Sequence, residues 1–222
     1  MATRRTTRTV PRPPAVPSEF TDAPDALDPG DSWEGVRAGV DLAVDAAAED
    51  VELVASVLTG VDLTSRQLNG LRARDVIFDG CDFSGAVLDG AHLDRVVFRG
   101  CRLTGMMLTA ARLQDVVIED CVATLANFRS TRASLLFIRG TSLVEADFYT
   151  AVLTDSAILD CDLSRATFRG LRAERLHLHG CTFDHLVGAT SLRGAVIDDE
   201  QVLALGAAVL ADVGVSIGDR PE

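Results

Sequence analysis

Every fifth position from Leu58 to Phe183 carries a large apolar side chain at all but four of twenty-six sites, and those four are Ala73, Ala123, Ala133 and Ala173. The residue two before each of these is mostly apolar or small as well, as in Val61, Val76, Cys81, Ala86, Val96, Cys101, Met106 and Cys121. An amphipathic helix repeats its apolar residues at i, i+3, i+4 and i+7, and a half-buried strand alternates without a break. Here two inward positions alternate, and two residues are then free to turn. That describes a short extended segment with a corner after it. A longer period lies above the short one. All five cysteines (Cys81, Cys101, Cys121, Cys161, Cys181) are separated by multiples of twenty residues, and Gly60, Gly80, Gly100, Gly140 and Gly180 keep the same phase. Four segments therefore close one square circuit. Successive circuits stack as parallel strands about 4.8 Å apart, each inward residue above its counterpart twenty earlier. Such a period specifies one small unit stacked many times, and the predicted class is an all-β solenoid.

The strings CDFSGAVLDGAHLDRVVFRGCRL and CDLSRATFRGLRAERLHLHGCTF resemble the tandem A-(D/N)-L-x-x units of the pentapeptide-repeat proteins, and the likeness runs from Val51 to Leu186. It implies that family's right-handed quadrilateral parallel β-helix. The predicted organisation is a disordered Pro-rich tail over 1–30, an N-terminal cap or irregular first coil over 31–50, the β-helix over 51–190, and a helical cap over 191–222. The tail is basic first (Arg4, Arg5, Arg8, Arg12) and acidic afterwards (Glu19, Asp22, Asp25, Asp28); it reads as a solvated leader or a basic arm. Residues 33–50 lose the five-residue phase, as an irregular coil would, or a short helix across Val40, Val44, Ala47, Ala48 and Val51. After Gly188 the register slips. DDEQVLALGAAVLADVG then reads as a helix, with Asp198 and Gln201 forming a capping box. Val202, Leu205, Val209 and Val213 define an apolar stripe on it that serves as a lid over the last coil, a dimer interface, or both.

No run of eighteen apolar residues exists to span a membrane, and no apolar stretch follows the first arginines as in a secretory signal. A cytoplasmic location with reduced thiols is expected. Stacked cysteines hold their Cβ atoms about 4.8 Å apart, beyond the usual ~3.8 Å of a disulfide, so none is expected. His177 and His179 flank an inward Leu178, which points them outward while Cys181 points inward, a poor arrangement for zinc. Nucleotide, metalloprotease and serine-hydrolase motifs are all missing from the sequence. The expectation is a non-enzymatic protein with no cofactor or metal.

Function then rests on the outer walls. The chain carries a net −12, of which residues 51–190 supply −3. Acids lean toward the wall holding Asp62, Asp82, Glu145, Asp162 and Asp184. An Arg-rich wall (Arg72, Arg74, Arg95, Arg112, Arg132, Arg172, Arg175) has neighbouring acids, and solvated salt-bridge ladders are expected there. A third wall places Ile77, Val97, Val117 and Phe137 outward, with Leu159 beside them. It is either covered by residues 20–50 folding back or a partner surface. Two functions are expected from these features. The first is a protein-binding scaffold without direct contact to nucleic acid or membrane, paired as a homodimer. The second is implied by the resemblance alone: the gyrase-interacting, quinolone-resistance-type members of the family imitate DNA and bind type II topoisomerases.

Overall fold

The computed structural model describes residues 10–215. The chain winds a right-handed, four-sided parallel β-solenoid of about nine turns that ends in a single helix. Its corners obey one rule. From Asp50 to His185 every fifth residue has a positive φ, between 49° and 73°. Eighteen of these corner residues are not glycine, and an L side chain costs roughly 1 kcal/mol in that conformation. Burial of two inward side chains per segment and the ladder of backbone hydrogen bonds must offset it, so the corners hold only in the stacked state.

In the four central turns two consecutive segments fuse into eight-residue strands: β1 (Arg72–Asp79), β2 (His92–Arg99), β3 (Arg112–Glu119) and β4 (Arg132–Arg139). They pair in parallel with a register of twenty, so that Val76, Val96, Val116 and Leu136 fall in one inward row. Val and Ile crowd the second half of these strands, where β-branched side chains favour extended backbone. The other two walls touch their neighbours by single parallel bridges such as Asp62↔Asp82 and Gln67↔Val87.

Stacking sets like upon like. Phe128, Phe148 and Phe168 form a column with ring centroids 4.8 and 5.0 Å apart, the spacing of the coils themselves. Phe78 and Phe98 stack at 5.0 Å, with Phe83 edge-on to both. All five cysteines are buried and free. Burial pushes the Cys161 thiol up to about 12 and the Cys181 thiol to about 11. Thr141 takes the missing place in the cysteine row, where its hydroxyl donates to the Arg139 carbonyl and accepts from the Cys121 N–H.

The N-terminal expectation needs correction. Of the disordered tail expected over 1–30, residues 1–9 lie outside the described residues; residues 10–30 are held to the solenoid through Arg12, Ala15, Thr21 and Ala26, and residues 21–50 add coil in front of the regular repeat. No helix crosses Val40 to Val51; the irregular first coil is what forms. Thr21 pairs Val36 and Ala26 pairs Ala43 before Ser32 pairs Glu52 at the full interval of twenty. The first coil is thus shorter than a full square, which erases the five-residue phase without ending the sheet. Trp33 stacks in register on Leu53 and fills the end of the core. At the other end His177 pairs Val196 at an interval of nineteen, after a 3-10 turn at Ala189–Leu192. The Asp198–Gln201 capping box forms, and α1 (Val202–Asp212) follows it.

Gly188, where the register slips, has φ +81°, and a Cβ there would overlap the backbone of Phe168 and Arg169. Gly100 has φ +58° with open space around it. Thermal unfolding should therefore separate the two: Gly100→Ala costs about 1 kcal/mol, and Gly188→Ala about 2–4 kcal/mol. Equal losses would show that Gly188 serves only its φ.

Candidate functional site

Because every turn stacks in register, the outward residues of each segment line up in columns along the axis. The apolar column runs Val57, Ile77, Val97, Val117, Phe137, Ala157, His177, all Cα partners in turn. Leu159 belongs to the adjacent column, beside Arg139. Ile77, Val117, Phe137 and Leu159 are half-buried, and Val97 and Ala157 are buried.

A strap accounts for part of this, and sequence reasoning missed it. Residues 10–20 run up the corner beside the apolar column. The Arg12 backbone N–H donates to Asp115 Oδ1 at 2.9 Å, and its guanidinium donates to Asp115 Oδ2 at 3.0 and 3.2 Å. The Asp115 side chain is 0% exposed. Three residues later the Ala15 N–H donates to Asp75 Oδ1 at 2.8 Å, and Arg95 grips the same carboxylate with two bonds of 2.6 Å. Asp75 and Asp115 lie two turns apart, about 9.6 Å. A polyproline II chain advances about 9.3 Å in three residues. The prolines of the strap (Pro11, Pro13, Pro14, Pro17) favour that rise, and the match with the coil spacing was the signal available in the sequence.

The expected acidic residues are not gathered. Asp62, Asp82 and Asp162 share a column, but Arg102, Val122 and Ser142 interrupt it. Glu145 sits at a corner, where it pairs with Arg165 at 2.8 Å, and Asp184 lies one column away. Each column Asp is bound into its own turn. Asp62 accepts the Thr64 N–H, Asp82 accepts from the N–H and hydroxyl of Ser84, and Asp162 accepts from both groups of Ser164 and from Thr182. Hydrogen bonds from Thr64 and Ser164 hold Asp62 and Asp162 below the usual carboxylate range.

The Arg-rich wall forms part of the expected ladder: Arg95 pairs with Asp75 and Asp94, and Arg175 with Asp155 and Glu174. The remaining corner acid, Asp115, is taken by Arg12 of the strap. Among the described residues no ion pair joins Arg72, Arg112 or Arg132. With His92 they stack in one column. They line a groove of about 600 Å³ whose other bank carries Arg74, Asp94, Gln114, Ser134 and Thr154.

The predicted helix stripe divides. Leu205 and Val209 pack partly buried against the core with Ala208, while Val202 and Val213 are exposed. Leu203, 86% exposed, and Leu210, 39% exposed, point outward. Asp212 ties the helix down by accepting from the N–H groups of Gly188 and Thr190. His179 donates its Nδ1–H to Asp198 at 2.6 Å, and Asp198 also accepts the Gly180 N–H, so this histidine secures the cap. No group of three or more potential metal ligands converges among the described residues, and no helix there is long and apolar enough to cross a membrane.

A family model described as a pentapeptide repeat region matches residues 51–128, 71–148 and 91–168, which together span over half the chain. Among solved structures, the chain is similar to HetL, a pentapeptide repeat protein involved in heterocyst differentiation regulation from the cyanobacterium Nostoc sp. strain PCC 7120. Identity is 16%, with 78% of this chain and 91% of that one covered and a TM-score of 0.33. Full-length QnrB1, a plasmid-mediated fluoroquinolone resistance protein, matches at 18% identity over 88% of this chain and 100% of its own, with a TM-score of 0.39. Rfr23, a pentapeptide repeat protein from the cyanobacterium Cyanothece 51142, matches at 16% over 59% and 90%, with a TM-score of 0.32. These likenesses concern the fold alone. No curated protein sequence matches the chain.

The strap generates a pH prediction. The Arg95 hydrogen bonds hold Asp75 below the ordinary carboxylate value. A depressed carboxylate stabilises the fold above its unfolded pKa, about 3.9, and the contribution is lost as pH falls through the lower folded value. Hydrogen exchange should therefore show residues 10–20 protected at pH 5, with protection starting to fall only below about pH 3.9 and lost as pH passes the lower folded value. Asp75→Asn with Asp115→Asn should release them at neutral pH. Unchanged protection in that variant would show that other contacts hold the strap.

Proposed function

The chain belongs to the pentapeptide-repeat family, and on that footing we propose that it is a non-enzymatic scaffold that pairs with a second copy of itself and presents its outer walls to protein partners. One observation carries the reading. From Val202 to Ala211 the helix α1 holds no charged residue, and its outer face exposes Leu203 and Leu210 on either side of Gly206 and Ala207. A helix exposing such a face to water incurs a hydrophobic penalty of roughly 25 cal/mol per Å². Gly206 and Ala207 at the middle of the face let a second helix approach closely, and a two-fold axis there makes the contact self-complementary. The apolar column beside the strap supplies a second surface, and in a dimer both copies would be presented together.

Leu203→Asp with Leu210→Asp should convert dimer to monomer in sedimentation velocity while the β-sheet circular dichroism is unchanged. A wild-type protein that sediments as a monomer at high micromolar concentration overturns the pairing. Leu205 and Val209 are unsuitable for this test because they also hold the helix to the coil.

The DNA-imitating reading has thinner support. A duplex carries one negative charge per ~1.7 Å of axis, whereas the acids of this rod are interrupted by Arg102, Val122 and Ser142 and engaged in their own turns. A type II topoisomerase supercoiling assay separates the two readings. The scaffold reading expects no inhibition at micromolar concentration. Inhibition that disappears in the Asp62→Asn, Asp82→Asn, Asp162→Asn triple variant would replace it.

A further inference from the structure

All twenty-one basic residues of this chain are arginine, and most of those described are matched to an acid or dispersed. The exception is the column in which Arg72, His92, Arg112 and Arg132 follow Glu52 as direct Cα neighbours on successive turns. Arg112 and Arg132 stand about 4.8 Å apart, both exposed and without an ion pair among the described residues. Like charges directly opposite in a sheet are destabilising, so the bare column is a feature the fold tolerates and does not need. It forms one bank of the groove described above.

We propose that this groove binds an extended acidic peptide of a partner protein, with carboxylates at every third residue. The inference deepens the scaffold reading, on which it rests, by naming a partner chemistry. Three features point to a peptide. The two banks are two residues apart along each strand, about 6.6 Å, which admits a single extended chain and excludes a nucleic-acid duplex from the floor. Gln114, Ser134 and Thr154 on the opposite bank offer neutral hydrogen-bonding groups suited to a peptide backbone. Asp94, also on that bank, is neutralised through Oδ2 by Arg95 at 2.8 Å, which leaves the net charge of the groove positive.

The pitch comes from the strap. Arg12 and Ala15, three residues apart, meet carboxylates two turns apart, so this solenoid already accepts an axial chain in the rise of polyproline II. A chain in the groove with the same rise sets every third side chain two turns apart. That is the separation of Arg72 from Arg112, and of His92 from Arg132. Arginine's planar fork then takes each carboxylate with two hydrogen bonds.

The test uses a fluorescent peptide of repeated Glu-Pro-Pro units, a peptide of the same composition with its glutamates clustered, inorganic polyphosphate and oligo(dT), each titrated by anisotropy. The spaced peptide should bind at least about tenfold tighter than the clustered one, and Arg112→Gln with Arg132→Gln should weaken it by about tenfold or more. That variant should keep its circular dichroism and melt no lower than the wild type, because it removes repulsion and no contact. Failure of the spaced peptide to bind, equal binding of the clustered peptide, or tighter binding of polyphosphate or oligo(dT) would each overturn the proposal. Repeating the titration on the Leu203→Asp, Leu210→Asp variant separates the two readings. Peptide binding retained by a monomer supports the groove whatever becomes of the dimer, and binding lost with the dimer overturns the groove as an independent site.

Discussion

A left-handed residue at every corner is the constraint on which the rest of this structure depends. From Asp50 to His185 it recurs without exception, and it turns the chain so that each segment lands on the one twenty residues earlier. Most of these corners are not glycine, so the local backbone does not favour them. They persist because the two inward residues of every segment are buried and every turn hydrogen-bonds to the turns above and below. Local strain and global register support each other, and neither survives alone.

From that register the surface follows. Side chains twenty apart are forced into columns, so a repeated residue becomes a stripe and an exception becomes a gap. Phenylalanines stack as Phe128, Phe148 and Phe168, and arginines stack as Arg112 and Arg132. Corner carboxylates are drawn to partners that the coil or the strap supplies: Arg95 to Asp75, Arg12 to Asp115, Arg175 to Asp155. This diversion leaves one bank of the adjoining groove cationic on an otherwise acidic molecule. The walls therefore differ in chemistry although they share one backbone.

The two ends use different physics. At the N-terminus a short first coil and Trp33 close the core, and the chain then lies along its own corner as an axial strap. At the C-terminus the register slips by one residue at Gly188, and Asp198 and Asp212 fasten a helix across the last turn. Its inner face, Leu205, Ala208 and Val209, belongs to the monomer. Its outer face, Leu203 and Leu210, is left uncovered by the described residues.

The coil from Val51 to about Leu186 was legible because its information is periodic: burial depends on position modulo five, and stacking on position modulo twenty. The capping box at Asp198 was legible for the same reason, since three residues decide it locally. The strap was not, because Arg12 and Asp115 are separated by a hundred residues and meet only once the solenoid exists to bring Asp75 and Asp115 into line. Nor could sequence proximity tell which acids on the Arg-rich wall would pair. Asp115 lies three residues from Arg112 in sequence, yet its carboxylate is bound by Arg12, more than a hundred residues away. The helix stripe divides for a like reason: α1 shows apolar residues all round, so periodicity alone does not separate Leu205 and Val209, which pack on the coil, from Val202 and Val213, which do not. Periodicity by itself determined which residues face inward; only the assembled fold decided which outward residues find a partner, because that depends on distances between turns that the chain does not encode locally.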